Sequence, residues 1–171
     1  FYNGVGAGAS IASHFHFQFF RRLPEITNFP IEERSFTSSK DGSCPEFILD
    51  YPIDVLRWRG SISEVVSKAC AWITQSIKEI GMSRHRLTSN FIATSSELGE
   101  YVTLYFIPRD KENQFWNGGN GLVGGLEILG ELVMASDDER TLVEKDNIDY
   151  FFINTALSNV SAQFSNKKIL I

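Results

Sequence analysis

Cysteine is scarce in this sequence, with only Cys44 and Cys70 among 171 residues. The two cysteines lie in segments of different character and have no Cys-x-x-Cys spacing, so we expect neither a disulfide framework nor a zinc knuckle. The simplest interpretation is a cytoplasmic protein that carries two reduced, inert thiols.

The chain also lacks an excess of positive charge and any long apolar run. With 16 Lys and Arg against 21 Asp and Glu, the formal net charge is −5, which provides no basic field for a polyanion. No run approaches the roughly 18 to 20 apolar residues that a membrane span requires. We therefore expect a soluble protein with neither nucleic acid nor membrane as a partner.

Hydrophobic residues are abundant enough for one core. They make up 43% of the chain and include 14 phenylalanines, which suit sheet surfaces and contacts between helix and sheet. This length predicts a single domain over residues 1–171. Because the first glycine turn begins at Gly4 with no strand before it, we expect an upstream segment to be missing and the domain to be the C-terminal portion of a longer chain.

The segment 11–20 alternates between polar and aromatic side chains, which is the period-two pattern of a strand. We predict a central strand there. Its polar face carries His14, His16 and Gln18. Its aromatic face carries Phe15, Phe17 and Phe19, which we expect to pack in the core. The prolines, acids and Ser/Thr cluster that follow predict a long irregular loop over 21–45.

The rest of the chain, residues 46–171, is predicted to supply the other strands and the helices. A capping-box pattern at Ser61 and Glu64, followed by helical spacing of apolar residues, predicts a helix over 61–80. Pro108 is expected to end a hairpin. The remaining predicted elements are strands at 46–59 with a candidate break at Pro52, hairpin strands at 87–95 and 100–107, a strand at 126–135, and helices at 137–144 and 149–164. Together they predict an α+β fold with a mostly antiparallel sheet packed by helices.

The chemistry is concentrated in residues 3–18, which read NGVGAGASIASHFHFQ. The glycines in this turn, Gly4, Gly6 and Gly8, allow a close backbone approach and can aim successive N–H groups at a phosphate, while Ser10 can add a hydroxyl donor. A histidine is largely neutral at pH 7 and can act as a nucleophile in a two-step transfer. Phosphorus held by the turn is therefore the natural electrophile.

This arrangement resembles the signature of the histidine-triad superfamily, in which an Asn opens a glycine-rich turn that leads to His-φ-His-φ-His, φ being hydrophobic. Gln18 stands in place of the last histidine, as in the transferase branch, which comprises galactose-1-phosphate uridylyltransferases, diadenosine tetraphosphate phosphorylases and GDP-hexose phosphorylases. Two downstream stretches, 101–109 and 124–133, are also similar to segments of these phosphorylases.

The resemblance implies a fold like that of the histidine-triad proteins and a role for each residue of the motif. His16 would attack the α-phosphorus of a nucleotide or nucleotide-sugar, and Gln18 would bind a phosphoryl oxygen. His14 would orient or support the attacking histidine. Phosphate or a sugar phosphate would then accept the nucleotidyl group. No cofactor is required, and a homodimer is compatible with this interpretation. The implied phosphate- and nucleotide-binding residues are Asn3, Gly4, Gly6, Gly8, Ser10 and Arg109.

Two other functions remain open: a nucleotide-binding module without turnover, and a cupin-like metal site on His14 and His16. The cupin motif calls for a glutamate where this chain has Phe20 and Arg21, so a divalent metal is not indicated.

Three downstream features have competing interpretations. Arg109 either pairs with a phosphate or is solvated at a strand end, and we expect the latter more often. Glu127 is expected to be a strand-edge acid, with a contact to ribose as the other option. The glycine loop 117–125 has no P-loop or dinucleotide fingerprint and is a candidate flap over the site.

Overall fold

The computed structural model describes residues 1–9, 11, 13–21, 23, 25, 28–37, 44–76, 85–95, 100–113, 123–133, 136–145 and 148–162. In these ranges the chain forms five strands and four helices. The strands are β1 (Tyr2–Asn3), β2 (Glu46–Phe47), β3 (Leu56–Gly60), β4 (Leu87–Ser95) and β5 (Val102–Asp110). The helices are α1 (Ile62–Ser76), α2 (Gly125–Leu129), α3 (Asp137–Glu144) and α4 (Tyr150–Asn159).

The strands form one sheet in the order β1-β4-β5-β3-β2, and every pair is antiparallel. The predicted α+β fold with an antiparallel sheet is confirmed. β4 and β5 are the predicted hairpin, paired from Leu87 opposite Asp110 to Ser95 opposite Val102. The segment predicted as one strand over 46–59 forms two short strands, β2 and β3, with the bend at Pro52 between them.

Pro108 does not end the hairpin, and that prediction is wrong. It lies within β5 opposite Ser89, and its carbonyl accepts a hydrogen bond from Ala162 N at 3.2 Å. Since the nitrogen and carbonyl of one strand residue point to the same side, the nitrogen of Pro108 faces the C-terminal segment rather than β4. The missing N–H therefore removes no hydrogen bond between β4 and β5.

Helices cover both faces of the sheet. α1 packs on the face that carries Leu56, Trp58 and Phe106, through Val65 and Ala69. The helix begins as predicted, because Glu64 Oε2 accepts from the backbone N and the hydroxyl of Ser61 at 3.1 and 2.7 Å. It is confirmed through Ser76, and residues 77–80 lie outside the described ranges.

The opposite face of the sheet packs against α2 and α4. Its buried strand residues include Ile92, Tyr105 and Ile107, which join Ile128 and Leu157 of the two helices in one cluster. α3 matches the predicted helix at 137–144, and α4 confirms the helix predicted over 149–164 for residues 150–159. None of the helices described here is long and apolar enough to cross a membrane.

The strand predicted at 126–135 is wrong, because its first half is helix α2. Gly124 caps this helix, where its N–H donates to Glu127 Oε2 at 2.8 Å. Gly130 ends it with a φ of 106°, a conformation that glycine adopts at little cost. Glu127 is therefore a helix-capping acid rather than a strand-edge acid. A short apolar run does not distinguish a buried strand from a buried helix, which explains the error.

The central strand predicted at 11–20 is also wrong. The described residues of this segment form no strand, and the segment runs beside β1, at the edge of the sheet. Just before β1, Phe1 forms a hydrogen-bonded pair with this segment: the amino group of Phe1 donates to Gln18 O at 2.6 Å, and Gln18 N donates to Phe1 O at 2.9 Å.

The phenylalanines of this segment do not pack in the core as predicted. Phe15 is 70% exposed, Phe17 55% and Phe19 90%. Phe15 and Phe17 contact the ring of Tyr2, with centroids 5.0 and 5.8 Å apart. None of the four described helices is packed against this aromatic side, and the alternating pattern alone does not reveal a location beyond the sheet edge.

The loop predicted at 21–45 is irregular where it is described. It nevertheless contributes to the core, since Phe29 is 5% exposed and Ile31 is fully buried. These two residues pack beside α2. The polar, proline-containing composition of the segment did not predict this burial.

Candidate functional site

The glycine turn leaves β1 and folds back onto β4. Gly4 N donates to Ser89 O at 2.9 Å, and Ala7 N donates to Gly4 O at 2.8 Å. Gly6 and Gly8 have φ angles of 76° and 84°, which favour glycine. No acceptor in the described part of the chain takes the N–H groups of Gly6 and Gly8.

Two of the glycines also permit close packing within the protein. A Cβ at Gly8 would lie 2.5 Å from Gly124 Cα and from Val123 O, and a Cβ at Gly4 would lie 2.6 Å from Ser89 O. The turn is therefore seated directly on β4 and on the start of α2. The sequence suggested close approach to a ligand, and the structure adds close approach to backbone.

Gly8→Ala is expected to lower the free energy of unfolding by about 2 to 4 kcal/mol, because a positive φ and an overpacked contact each add strain. Urea unfolding measures the change. Ser13→Ala, an exposed substitution nearby, is the control and should stay within about 0.5 kcal/mol of the parent. Equal stability of the two variants would contradict the packing of the turn against Gly124.

Asn3 joins the turn to the rest of the site. Its Oδ1 accepts from Asn90 Nδ2 at 2.7 Å and from Gly125 N at 2.9 Å. Its Nδ2 donates to Gly8 O at 3.4 Å. One side chain thus connects the two ends of the turn, the strand β4 and the first turn of α2.

Asn90 and Arg109 extend this network into the core, and both are fully buried. Asn90 Nδ2 donates also to Ala7 O at 2.7 Å, and its Oδ1 accepts from Arg109 Nη1 at 2.8 Å. Arg109 further donates to Val123 O and to Val160 O, both at 2.9 Å. The expectation of a solvated Arg109 is wrong, because its buried guanidinium donates hydrogen bonds to three separate segments: β4, the residue before Gly124, and the end of α4.

Burial lowers the pKa of Arg109 to about 10, so the side chain remains charged at neutral pH. Burial also raises the pKa of Glu127 above its ordinary value, although backbone N–H donors and the nearby Arg109 offset part of the shift. These two opposite charges lie beside the start of α2, next to the glycine turn.

Glu127→Gln is expected to alter how stability depends on pH. Since the folded-state pKa of Glu127 is raised, the folded protein binds more protons than the unfolded chain between 4.5 and the raised value. The free energy of unfolding contributed by this group therefore falls as pH rises through that window. Glutamine cannot titrate, so this fall should disappear in urea unfolding between about pH 4 and 7.

The control for this change is Glu144→Gln, at an exposed position of α3. It should leave the pH profile of the parent protein unchanged. If the free energy of unfolding of Glu127→Gln varies with pH as it does in the parent, burial of this carboxyl does not contribute to the pH dependence of stability.

The histidine pair lies on the segment beside β1. The ring centroids of His14 and His16 are 5.4 Å apart, which confirms that the i, i+2 spacing makes them neighbours. His14 N donates to Ile11 O at 3.1 Å. The Nδ1 of His16 lies 3.2 Å from the carbonyl oxygen of His14. A carbonyl oxygen can only accept, so Nδ1 is the donor in this contact, and in the neutral form of the ring the lone pair is then on Nε2.

The described contacts leave the histidines and the glycine turn on separate segments. Phe1 and Gln18 form one hydrogen-bonded pair, and the side chain of Gln18 is exposed. No hydrogen bond among the described residues joins His14 or His16 to the turn.

Three remaining points concern the candidate flap, a metal site and Asn90. Ser10 and residues 117–122 of the candidate flap lie outside the described ranges. Among the residues that are described, no three His, Cys, Asp or Glu side chains gather as a metal site would require. Asn90 was missed from the sequence, although an amide on the same face of β4 as Ile92 is a signal of a buried polar contact.

Comparison with known proteins gives no relative: no family model matches the sequence, no curated protein matches it, and no solved structure matches the fold.

Proposed function

We propose that the protein is a nucleotidyltransferase or phosphorylase of the histidine-triad type, with His16 as its nucleophile. The observation that carries this proposal is the contact between His16 Nδ1 and the carbonyl oxygen of His14. A hydrogen on Nδ1 leaves the lone pair on Nε2, which is the form of imidazole that can attack phosphorus.

The reaction proceeds in two displacements. Nε2 of His16 attacks the α-phosphorus of a nucleoside polyphosphate or nucleotide-sugar, forming an N–P bond. The P–O bond to the leaving phosphate or sugar phosphate breaks, and its electron pair departs with that oxygen. An oxygen of inorganic phosphate or a sugar phosphate then attacks the same phosphorus, and the N–P electron pair returns to Nε2 of His16.

The glycine turn holds the phosphoryl group during both steps. The N–H groups of Gly6 and Gly8 are the donors that the turn offers, and the buried network of Asn3, Asn90 and Arg109 keeps the turn in place. Donors fixed before substrate arrives stabilise developing charge without reorganisation. Gln18 supplies an amide to a phosphoryl oxygen, and His14 supports His16 through its carbonyl.

A nucleotide-binding module without turnover is the second candidate. The observation that favours it is that, among the described residues, the histidine segment has one backbone hydrogen-bonded pair to the chain beside β1, Phe1 with Gln18, and otherwise meets it through aromatic rings. A site of this kind would bind a nucleotide on the glycine turn but would not hold His16 in line with the phosphorus.

The test is to incubate the protein with α-³²P-labelled ADP, GDP-sugar or diadenosine tetraphosphate and to trap the intermediate. A nucleotidyl-histidine is labile in acid and stable in base, and addition of phosphate should discharge it as labelled nucleoside diphosphate. A rise in melting temperature with nucleotide, without label or product, would instead support the binding module. Bound metal in stoichiometric amount that transfer requires would support a cupin-like site on His14 and His16.

A further inference from the structure

A cavity lies at the edge of the sheet away from the glycine turn. It measures about 450 Å³ and is walled by β2, β3, the start of β5 and α1. β1 and β3 are three strand positions apart in the sheet, which corresponds to on the order of 15 Å. The cavity is therefore separate from the site that contains His16.

Among the described residues that line this cavity, positive charge prevails: they include Arg57, Arg59 and Lys68 and one acid, Glu46. Glu46 Oε2 accepts from Arg57 Nε at 2.6 Å, and its Oε1 accepts from Arg59 Nη2 at 2.9 Å. One carboxylate balances only one of the two guanidiniums. The wall therefore keeps about two positive charges when Lys68 is included. Glu64 lies near Lys68, but it is engaged by Ser61 at the start of α1.

The cationic wall is fixed in advance on its inner side and open on its outer side. The Arg57 guanidinium stacks over the ring of Phe36, 3.5 Å from its centroid, and the side chain is 11% exposed. Arg59 is 58% exposed. A guanidinium has five N–H donors, of which Arg59 gives the Nε and one Nη2 hydrogen to Glu46. Arg59 can therefore bind a second anion without releasing Glu46.

We propose that this cavity binds a small phosphorylated molecule of the size of a sugar phosphate. The volume lies in the range of small-molecule pockets. Guanidinium and ammonium groups together suit a phosphate dianion. Because the cavity lies far from His16, the ligand is bound independently of nucleotidyl transfer.

The experiment is isothermal titration of the protein with glucose 6-phosphate, with glucose as the uncharged comparison. Glucose 6-phosphate should bind and glucose should not. The double variant Arg59→Gln/Lys68→Gln should weaken binding at least about tenfold, because two charge-assisted contacts are lost. Arg140→Gln, which removes one exposed charge on α3, and His16→Ala should each leave the affinity unchanged.

Three outcomes would overturn the proposal. One is the absence of binding heat at about 10 mM ligand, and another is wild-type affinity in the double variant. The third is loss of binding in His16→Ala, which would assign the ligand to the histidine site. Urea unfolding of the double variant excludes a folding defect.

Discussion

His16→Ala should reduce the trapped nucleotidyl label to background, a loss of at least about 10³-fold, because no other group replaces the attacking nitrogen. His14→Ala should retain part of the label, since His14 contacts His16 through its backbone carbonyl, which alanine keeps. His85→Ala should label like the parent protein. Quantitative autoradiography after a fixed incubation measures all three variants beside the wild type.

His85 is a matched control because it is the third of the chain's three histidines and lies just before β4 rather than on the segment that carries His14 and His16. His16 is partly exposed, so its substitution should leave the free energy of unfolding within about 0.5 kcal/mol. Added imidazole should restore some transfer to His16→Gly by occupying the vacated position. Label that persists in folded His16→Ala would refute the assignment of the nucleophile.

The elements that the sequence predicts well are those whose signals are local. α1 combines a capping box at Ser61 and Glu64 with helical spacing, and both belong to one continuous stretch. The hairpin of β4 and β5 likewise follows from two β-rich runs close in sequence. Neither prediction depends on what the rest of the chain does.

The two wrong strands fail for different reasons. Alternation over 11–20 is compatible with a strand, but whether such a segment joins a sheet depends on β1 and on what lies beyond the edge of the sheet. The apolar run after Gly125 fits both strand and helix patterns, and there the caps at Gly124 and Gly130 accompany a helix. Local pattern thus leaves open both the neighbours of a segment and the type of a short apolar run.

In the candidate site, too, contacts between residues close in sequence were easier to predict than contacts between distant ones. The neighbouring rings of His14 and His16 follow from i, i+2 spacing alone. The support behind the turn does not, because Asn3 is 87 residues from Asn90 and Arg109 is 51 residues from Val160. A polar residue on the core side of β4 could have indicated a buried network, but not its partners.

Arg109→Ala is expected to lower the free energy of unfolding by about 3 to 5 kcal/mol, one of the largest effects of any single change in this chain. The substitution leaves Asn90 Oδ1 and the carbonyls of Val123 and Val160 without the donor that they share. Each buried acceptor without a partner costs about 1 to 3 kcal/mol. The Nη2 of Arg109 has no partner among the described residues. Because the substitution also removes this unpaired donor, the loss should be smaller than the sum of the costs of the three acceptors.

Urea unfolding measures this loss, with Arg140→Ala as the matched control because Arg140 is 67% exposed and should change stability by less than about 0.5 kcal/mol. If Arg109→Ala fails to fold, Arg109→Lys provides the comparison, since one ammonium cannot span three acceptors that a planar guanidinium reaches. Its intermediate loss should be accompanied by weaker trapping of the nucleotidyl label, because the turn loses its anchor through Asn90. Wild-type stability in Arg109→Lys would show that charge alone, rather than the three directed hydrogen bonds, holds the turn against α2.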